Sequence, residues 1–300
     1  MNLGITGITG LIGRQLARLA TEQGHHVWGF SRGSGAGVSH ATLLRQPTAE
    51  PWKLPEADSP LDTLIHLAGE PVLGLWTPKK RQRIRDSRVS FTEQVIDHLS
   101  TWKHPPPAFL CGSAVGFYGD RGDEILPESA SSGSGFLAEV CIAWETAAAR
   151  ASHAWGARVV QLRTGLVLAP EGGALPLMRT AFRLGLGGRL GDGQQWMPWI
   201  HVRDEARLIL HAATRTHLSG PLNLAAPEPA RNIDFTRQLA RTVHRPALLP
   251  APAFLLKTLG GDMAQEMLLA SQRIQPHGAL ESGFTFDFPS LPEALGHLLS

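Results

Sequence analysis

The sequence predicts an α/β fold: a doubly wound parallel sheet with a smaller C-terminal lobe. Three observations predict it. The chain opens on a short apolar strand, residues 2–6, that runs straight into a glycine-spaced turn (Gly7, Gly10, Gly13) and then a helical run over 14–23. Strand-like and amphipathic runs then alternate to about residue 170, the pattern of βαβ units and so of parallel strands. Beyond that point Pro, Gly and Trp become common and the alternation loosens.

The elements follow in order. Residues 26–31 (HVWGFS) read as the second strand, and a loop rich in Gly, Ser and Ala comes after it. Residues 63–69 form a buried strand that ends in the small residues Ala68 and Gly69. An amphipathic helix over 87–99, a strand over 108–113, a helix over 135–153 with an alanine-rich end and a strand over 158–163 complete the alternation. Asp204 is placed to cap a helix over 204–217, residues 222–225 return to the sheet as a last strand, and Asn232 or Asp234 can cap a helix over 235–244. This divides the chain into a Rossmann-type domain over 1–170, to which 200–225 return, and a smaller substrate-side lobe over 171–199 and 226–300. No internal repeat is visible.

Bulk composition narrows the function classes. At 300 residues, 43% hydrophobic and 18% charged, the chain is an ordinary globular enzyme in composition. A net charge of +2 gives no reason to expect a nucleic-acid partner. The basic run over 79–85 lacks the interleaved aromatics that stack bases and reads as a solvated helix face. Two cysteines, Cys111 and Cys141, are too few for a disulfide framework or a Cys-rich zinc site. No His, Asp and Glu set has metal-binding spacing, so no metal is expected. There is no signal pattern and no run approaching the ~20 apolar residues of a span. The apolar stretch over 247–259 is broken by Pro250, Pro252 and Lys257. A cytoplasmic protein with a small-molecule substrate and no membrane partner is expected.

The opening turn carries the cofactor argument. A strand, a Gly-rich turn and a helix N-terminus together make a phosphate site, because the first helical N–H groups are unpaired and the helix dipole is positive there. Glycines let the backbone approach a pyrophosphate without Cβ clashes. An NAD site of this type places an acidic residue at the end of the second strand. Here Ser31 and Arg32 stand there instead. A hydroxyl and a guanidinium suit a 2′-phosphate, which a carboxylate would repel, so NADP(H) is the expected cofactor.

The spacing Thr6-Gly7-x-x-Gly10-x-x-Gly13, with Leu67-Ala68-Gly69 and the strand ending at Ser113, resembles an extended or atypical short-chain dehydrogenase/reductase. Several longer stretches narrow the resemblance: Leu67 to Glu70, Asp86-Ser87-Arg88, Ser113 to Gly119, Arg163 to Leu168, Pro198 to Val202, and the tail from Phe288 to Leu295. Together these are similar to the uncharacterised "epimerase family" subgroup of NAD(P)-dependent sugar-nucleotide epimerase-like proteins, which carries its own C-terminal domain of unknown function. The likeness covers essentially the whole chain. It implies that Gly7, Thr9, Gly10, Leu11, Ile12 and Gly13 cradle the pyrophosphate and that Ser31 and Arg32 take the adenosine ribose phosphate. It also implies that Leu67, Ala68 and Gly69 line the cofactor. Arg88 stands where extended members place an asparagine near the active site, and Val167 would lie near the nicotinamide.

The same resemblance exposes a break in the catalytic pattern. Family chemistry depends on a tyrosine, a lysine four residues later and a serine. With Glu145 setting the register, the tyrosine position is Leu137 and the lysine position is Cys141, and no Tyr-x-x-x-Lys occurs anywhere in the chain. Without the cation, a phenol of pKa ~10 is a poor base near neutral pH. Ser113 survives as a residue that can orient a substrate oxygen. Tyr118, the sole tyrosine, is a candidate substitute acid. Cys141 is expected to be a buried, inert thiol.

On the substrate side, many sugar-nucleotide enzymes carry an arginine where this chain has Met197. Trp76, Trp196 and Trp199 suggest an apolar pocket, and Glu70, Trp196 and Trp199 are the expected substrate-side residues. His66 is expected to be a satisfied core residue and His201 to pack at the start of the following helix. The expected function is an NADP(H)-dependent oxidoreductase or epimerase-like enzyme on a small carbonyl or alcohol compound. The alternatives are a non-catalytic NADP(H)-binding redox sensor and a nucleotide-sugar epimerase.

Overall fold

The computed structural model describes residues 1–31, 38, 40–45 and 60–300. In chain order the first half holds β1 (Asn2–Thr6), α1 (Leu11–Glu22), β2 (His26–Ser31), β3 (Thr42–Arg45), β4 (Thr63–His66), α2 (Pro78–Asp86), α3 (Val89–Leu99), β5 (Ala108–Ala114), the short β6 (Ile125–Leu126), α4 (Phe136–Trp155), β7 (Arg158–Thr164) and β8 (Leu166–Leu168). The second half holds α5 (Leu175–Arg183), β9 (Trp196–Met197), β10 (Trp199–His201), α6 (Val202–Thr214), β11 (Gly220–Leu224), β12 (Ala230–Arg231), α7 (Asn232–Thr242), α8 (Ala253–Ala264), β13 (Arg273–Ile274), α9 (His277–Glu281) and α10 (Leu291–Leu299).

Seven strands form one sheet in the order β11-β7-β5-β4-β1-β2-β3, with every pairing parallel. The strand order reverses beside β1, and the turn that follows β1 is Gly7 to Gly13. That is the crevice where doubly wound sheets bind ligands. Apolar side chains alternate across the sheet, so both faces are covered. Leu3, Ile5, Leu110 and Leu162 pack with Leu16 of α1 and Ile209 of α6 on one side. Leu64, Phe109 and Val159 pack with Ile96 of α3 and Trp144 of α4 on the other. Each fully buried Leu or Ile contributes roughly 1.5–3 kcal/mol.

Four sequence expectations need correction. The loop after β2 contains a strand, β3, whose Leu43 packs on the core of α1 and α6; at four residues it is too short to announce itself among Gly and Ser. Asp204 does not cap α6. His201 holds the N-cap position, its Nδ1 accepting the Arg203 N–H at 3.0 Å, while Asp204 accepts the N–H groups of Asp287 and Phe288 at 2.9 and 2.8 Å. Neither Asn232 nor Asp234 caps α7, which starts at Asn232; the Asn232 carboxamide accepts the Leu190 N–H at 2.8 Å instead. Ser87 closes α2, and the next helix begins two residues later.

The expected second lobe contributes α5, α7, α8, α9 and α10 with several two-residue strands. It is joined to the first half by two small sheets, β13 with β6 and β10 with β8, and to the main sheet by α9, which packs against β11. Among the described residues no helix is long and apolar enough to cross a membrane, and no group of three metal-ligating side chains occurs.

Candidate functional site

The site begins at the glycine turn. Gly7 adopts φ +68°, and a Cβ there would lie 2.8 Å from the Ala68 nitrogen at the end of β4. A Cβ on Gly13 would lie 2.4 Å from the Gly7 oxygen. Only glycine lets the turn close on itself and on β4. Gly10 is the N-cap of α1, with no side-chain cap and no acidic residue in the first turn. The first N–H groups of α1 therefore face outward without an internal anion, beside the exposed Thr9 and Gly10 and the half-buried Leu11 and Ile12. A pyrophosphate fits this cradle. Thr6 fixes its far wall: its hydroxyl is 2.8 Å from His66 Nδ1 and accepts N–H bonds from Leu67 and Ala68 at 3.2 and 3.3 Å.

His66 is less satisfied than the sequence suggested. Its Nε2 is buried without a partner among the described residues, and burial lowers its pKa to about 3. It is a neutral wedge between Phe91 and Phe109.

Ser31 ends β2, at the place expected for the ribose phosphate. Arg32 lies outside the described residues. Leu67, Ala68 and Val167 are half-buried at the carboxyl ends of β4 and β8. Arg88 Nη1 donates to the Glu70 and Ile84 carbonyls at 3.0 and 3.3 Å, and its guanidinium lies 3.3 Å from where a Gly69 Cβ would stand. Gly69 is small because a cation lies against it. Glu70 itself accepts from Lys80 at 2.8 Å and pairs with Arg83 at 3.4 Å; the Lys80 bond leads in holding its carboxyl below the usual range. The basic run is thus not only a solvated face, since Arg81 also pairs with Asp262.

Ser113, at the end of β5, donates from Oγ to Glu145 Oε1 at 2.6 Å. Arg163 grips the same carboxylate from Nε at 2.9 Å and Nη2 at 2.8 Å. A carboxylate gripped by a forked arginine accepts from its neighbours. The single proton of Ser113 is therefore committed to Glu145. Toward any ligand Ser113 offers lone pairs alone.

Tyr118 does not reach the cleft. Its side chain is fully buried, its hydroxyl donates to Asn223 Oδ1 at 2.8 Å and accepts from Arg163 Nη1 at 2.8 Å, and burial pushes its pKa up. It is a strut between β5 and β11, which removes it as a substitute acid. Cys141 is buried beside Ser113 and pushed up to about 11 by burial, an inert thiol as expected. Leu137 is packed with Phe136, Trp76, Met263 and Met267 in a small apolar cluster. Above it, the Glu266 carboxylate accepts the N–H groups of Phe136 and Leu137 at 2.9 and 2.8 Å, capping α4 where Gly135 has no side chain to do so.

The tryptophans divide. Trp199 is buried with its Nε1 unpartnered among the described residues, so it is core and not pocket lining. Trp76 is buried against Phe136. Trp196 stays half-exposed, its Nε1 donating to Asp123 at 2.7 Å and its ring lying between Arg231 and Arg273 at 4.4 and 4.8 Å. His201 stacks on Phe288 and is lowered to about 4 by burial.

The structure thus gathers the glycine turn, Leu67 to Gly69, Arg88, Ser113 and Val167 at one edge of the sheet and sends Tyr118 and Trp199 inward. Sequence reasoning missed Glu145 and Arg163 as partners of Ser113. A charged residue inside the strand RVVQLRT was the available signal. Nothing local marked Glu266, 129 residues from Leu137.

Comparison with known proteins shows the family. The model of the NAD dependent epimerase/dehydratase family matches residues 3–225, and that of a domain of unknown function (DUF1731) matches 251–298. The chain is 36% identical over 305 residues to the epimerase family protein YfhF of Bacillus subtilis, covering 100% of this chain and 98% of that protein. It is 37% identical over 294 residues to Mb2239 of Mycobacterium bovis, covering 98% and 96%. The crystal structure of human epimerase family protein SDR39U1 with NADPH is similar at 30% identity and a TM-score of 0.87, over 100% of this chain and 99% of that one. A nucleoside-diphosphate sugar epimerase from Corynebacterium glutamicum is 36% identical with a TM-score of 0.79, over 100% of this chain and 58% of that one.

Proposed function

Because the chain belongs to the NAD dependent epimerase/dehydratase family, we propose that it binds NADP(H) across the β1 switch point and acts as an oxidoreductase or epimerase-like enzyme on a small, partly apolar alcohol or carbonyl compound. The observation that carries this reading is the uncapped, glycine-built N-terminus of α1 at the edge where the strand ends converge. The NADPH in the human relative supports the choice of NADP(H).

When bound, the nicotinamide supplies a hydride acceptor or donor. The N–H groups of Leu11 to Gly13, at the start of α1, would hold the pyrophosphate. Ser31 and Arg32 receive the 2′-phosphate, and Leu67, Ala68, Gly69 and Val167 exclude water along the cofactor. Arg88 places a cation beside Gly69, on the side of the cleft where Cys141 has replaced the family lysine. Ser113 accepts a hydrogen bond from a substrate hydroxyl, with its own proton aimed at Glu145, so it positions an alcohol oxygen more readily than a carbonyl. Glu70 and Trp196 stand on the substrate side.

A second reading, a non-catalytic NADP(H) sensor, is favoured by one observation: Leu137 and Cys141 occupy the positions of the family's proton-transfer pair. Titration with NADPH and NADH, then turnover on an alcohol and carbonyl panel, separates the two. Arg32→Ala should weaken NADPH by about tenfold or more, roughly 1.4 kcal/mol, and leave NADH nearly unchanged. Equal loss for both refutes the NADP(H) assignment. Turnover that disappears in Ser113→Ala rules out the sensor. Tight binding with no turnover on any compound favours it.

A further inference from the structure

Two segments far apart in sequence lie side by side and share an unusual surface. The stretch that follows α5 pairs with the stretch that precedes α8: Leu249 donates to the Gly187 carbonyl, Ala251 to that of Arg189, and Gly191 to that of Ala251. On these segments Leu184, Leu186, Leu248, Leu249, Phe254 and Leu259 are between 55% and 74% exposed. The helix α8 is apolar around most of its circumference and yet lies largely exposed. Ala264 is its only buried residue, and Phe254, Leu255, Lys257 and Leu259 share the outward arc.

The charge on these segments is net positive. Residues 171–192 and 234–262 hold seven Arg and Lys against four acidic residues, of which Asp234 pairs with Arg237 and Asp262 with Arg81, in a chain whose 26 acidic residues nearly equal its 28 basic ones. Arg183, Arg189, Arg245 and Lys257 are exposed and form no ion pair among the described residues. An apolar patch of this size marks a contact surface. Unrelieved cations around it select what it contacts. A second copy placed by two-fold symmetry would bring the same cations face to face. An anionic lipid surface would take the leucines into its acyl boundary and the cations at its headgroups.

We propose that this face of α8 and the paired 184–191 and 248–251 segments docks the protein onto anionic lipid bilayers as a peripheral contact. A peripheral contact of this kind needs no spanning stretch. The proposal is independent of cofactor binding.

Co-sedimentation of the full chain with phosphatidylcholine vesicles, and with mixed phosphatidylcholine and phosphatidylglycerol vesicles, tests it. Partition into the anionic vesicles should exceed that into neutral ones by about tenfold or more. It should fall away at about 1 M salt, where the screening length is about 3 Å. The double variant Phe254→Asp with Leu259→Asp, and separately Arg183→Glu with Arg245→Glu, should abolish it while NADPH binding shows that the fold is kept. No partition into anionic vesicles overturns the proposal, and so does partition that neither variant changes. A dimer in sedimentation equilibrium that the aspartates dissociate, without vesicle binding, assigns the face to a second copy instead.

Discussion

Ser113 and Tyr118 occupy neighbouring places in the sequence and opposite ones in the molecule. Both join the buried Arg163, which ties Glu145 on one side and Tyr118 on the other. The sequence made both legible as polar residues near the end of a strand, but which of them faces the cleft depends on partners 32 and 105 residues away. Tyr118→Phe removes one hydroxyl that donates and accepts inside the core. It should lower stability by about 1–3 kcal/mol and leave NADPH affinity unchanged, measured by denaturant unfolding and cofactor titration. Unaltered stability with lost turnover would return Tyr118 to the catalytic list. The glycine turn was readable because glycine spacing is a backbone requirement that sequence states directly. Arg88 was readable only by position; the structure adds that Gly69 is small to accommodate it.

Among the elements, α4 shows what a strand-and-helix pattern conceals. Its alanine-rich apolar face announced a helix, yet its N-terminus is held by Glu266, from a π-helical turn over Gln265–Leu269, with the Arg81 guanidinium 4.8 Å over the Phe136 ring. A carboxylate on two terminal N–H groups complements the helix dipole. Glu266→Ala should destabilise by about 1 kcal/mol and speed amide exchange at Phe136 and Leu137 while β5 and β7 stay protected. Unchanged exchange at those two amides would mean that the carboxylate is not what caps the helix. The misread starts of α6 and α7 have the same origin. Asp204, Asn232 and Asp234 are good capping types, but tertiary partners claimed the first two: the chain at 287–288 for Asp204 and Leu190 for Asn232.

For the molecule as a whole, the βαβ alternation fixed the parallel sheet and its ligand edge in advance, because buried strands need continuous apolar runs. The short strands of the second lobe, most of two residues, have no such periodicity. Buried titrating groups set a stability profile that crosses both regions. His66 and His201 are held neutral, at about 3 and about 4, against 6.5 when unfolded, and burial lowers His25 and His211 in the same sense. Below pH 6.5 the unfolded chain binds more protons through them, so stability falls as pH drops. Glu205 is opposite. Burial raises it to about 8 from 4.5, with Oε2 unpartnered among the described residues, so the folded chain holds the extra proton and stability falls as pH rises through that window. Asp204, raised by burial, acts in Glu205's sense. Above 6.5 the histidines no longer oppose the Glu205 slope, which amounts to about 1.4 kcal/mol per pH unit. Stability should therefore peak near pH 6.5 and decline toward 8, and Glu205→Gln should flatten that decline. Unfolding midpoints at the two pH values decide it; a decline that persists in the variant assigns the slope elsewhere.

Synthesis runs from the N-terminus, and the cap of α4 lies 130 residues downstream of Phe136. The helix that borders the reacting edge therefore leaves the ribosome with its first N–H groups open. So does β6, whose partner β13 comes 148 residues later, from Ile125 to Arg273. The glycine turn and the end of β4 on which it closes are complete in sequence once β4 has emerged, whereas the cap of α4 and the partner of β6 come more than 120 residues after the elements they complete. In the nascent chain the turn is assembled early and those contacts close last.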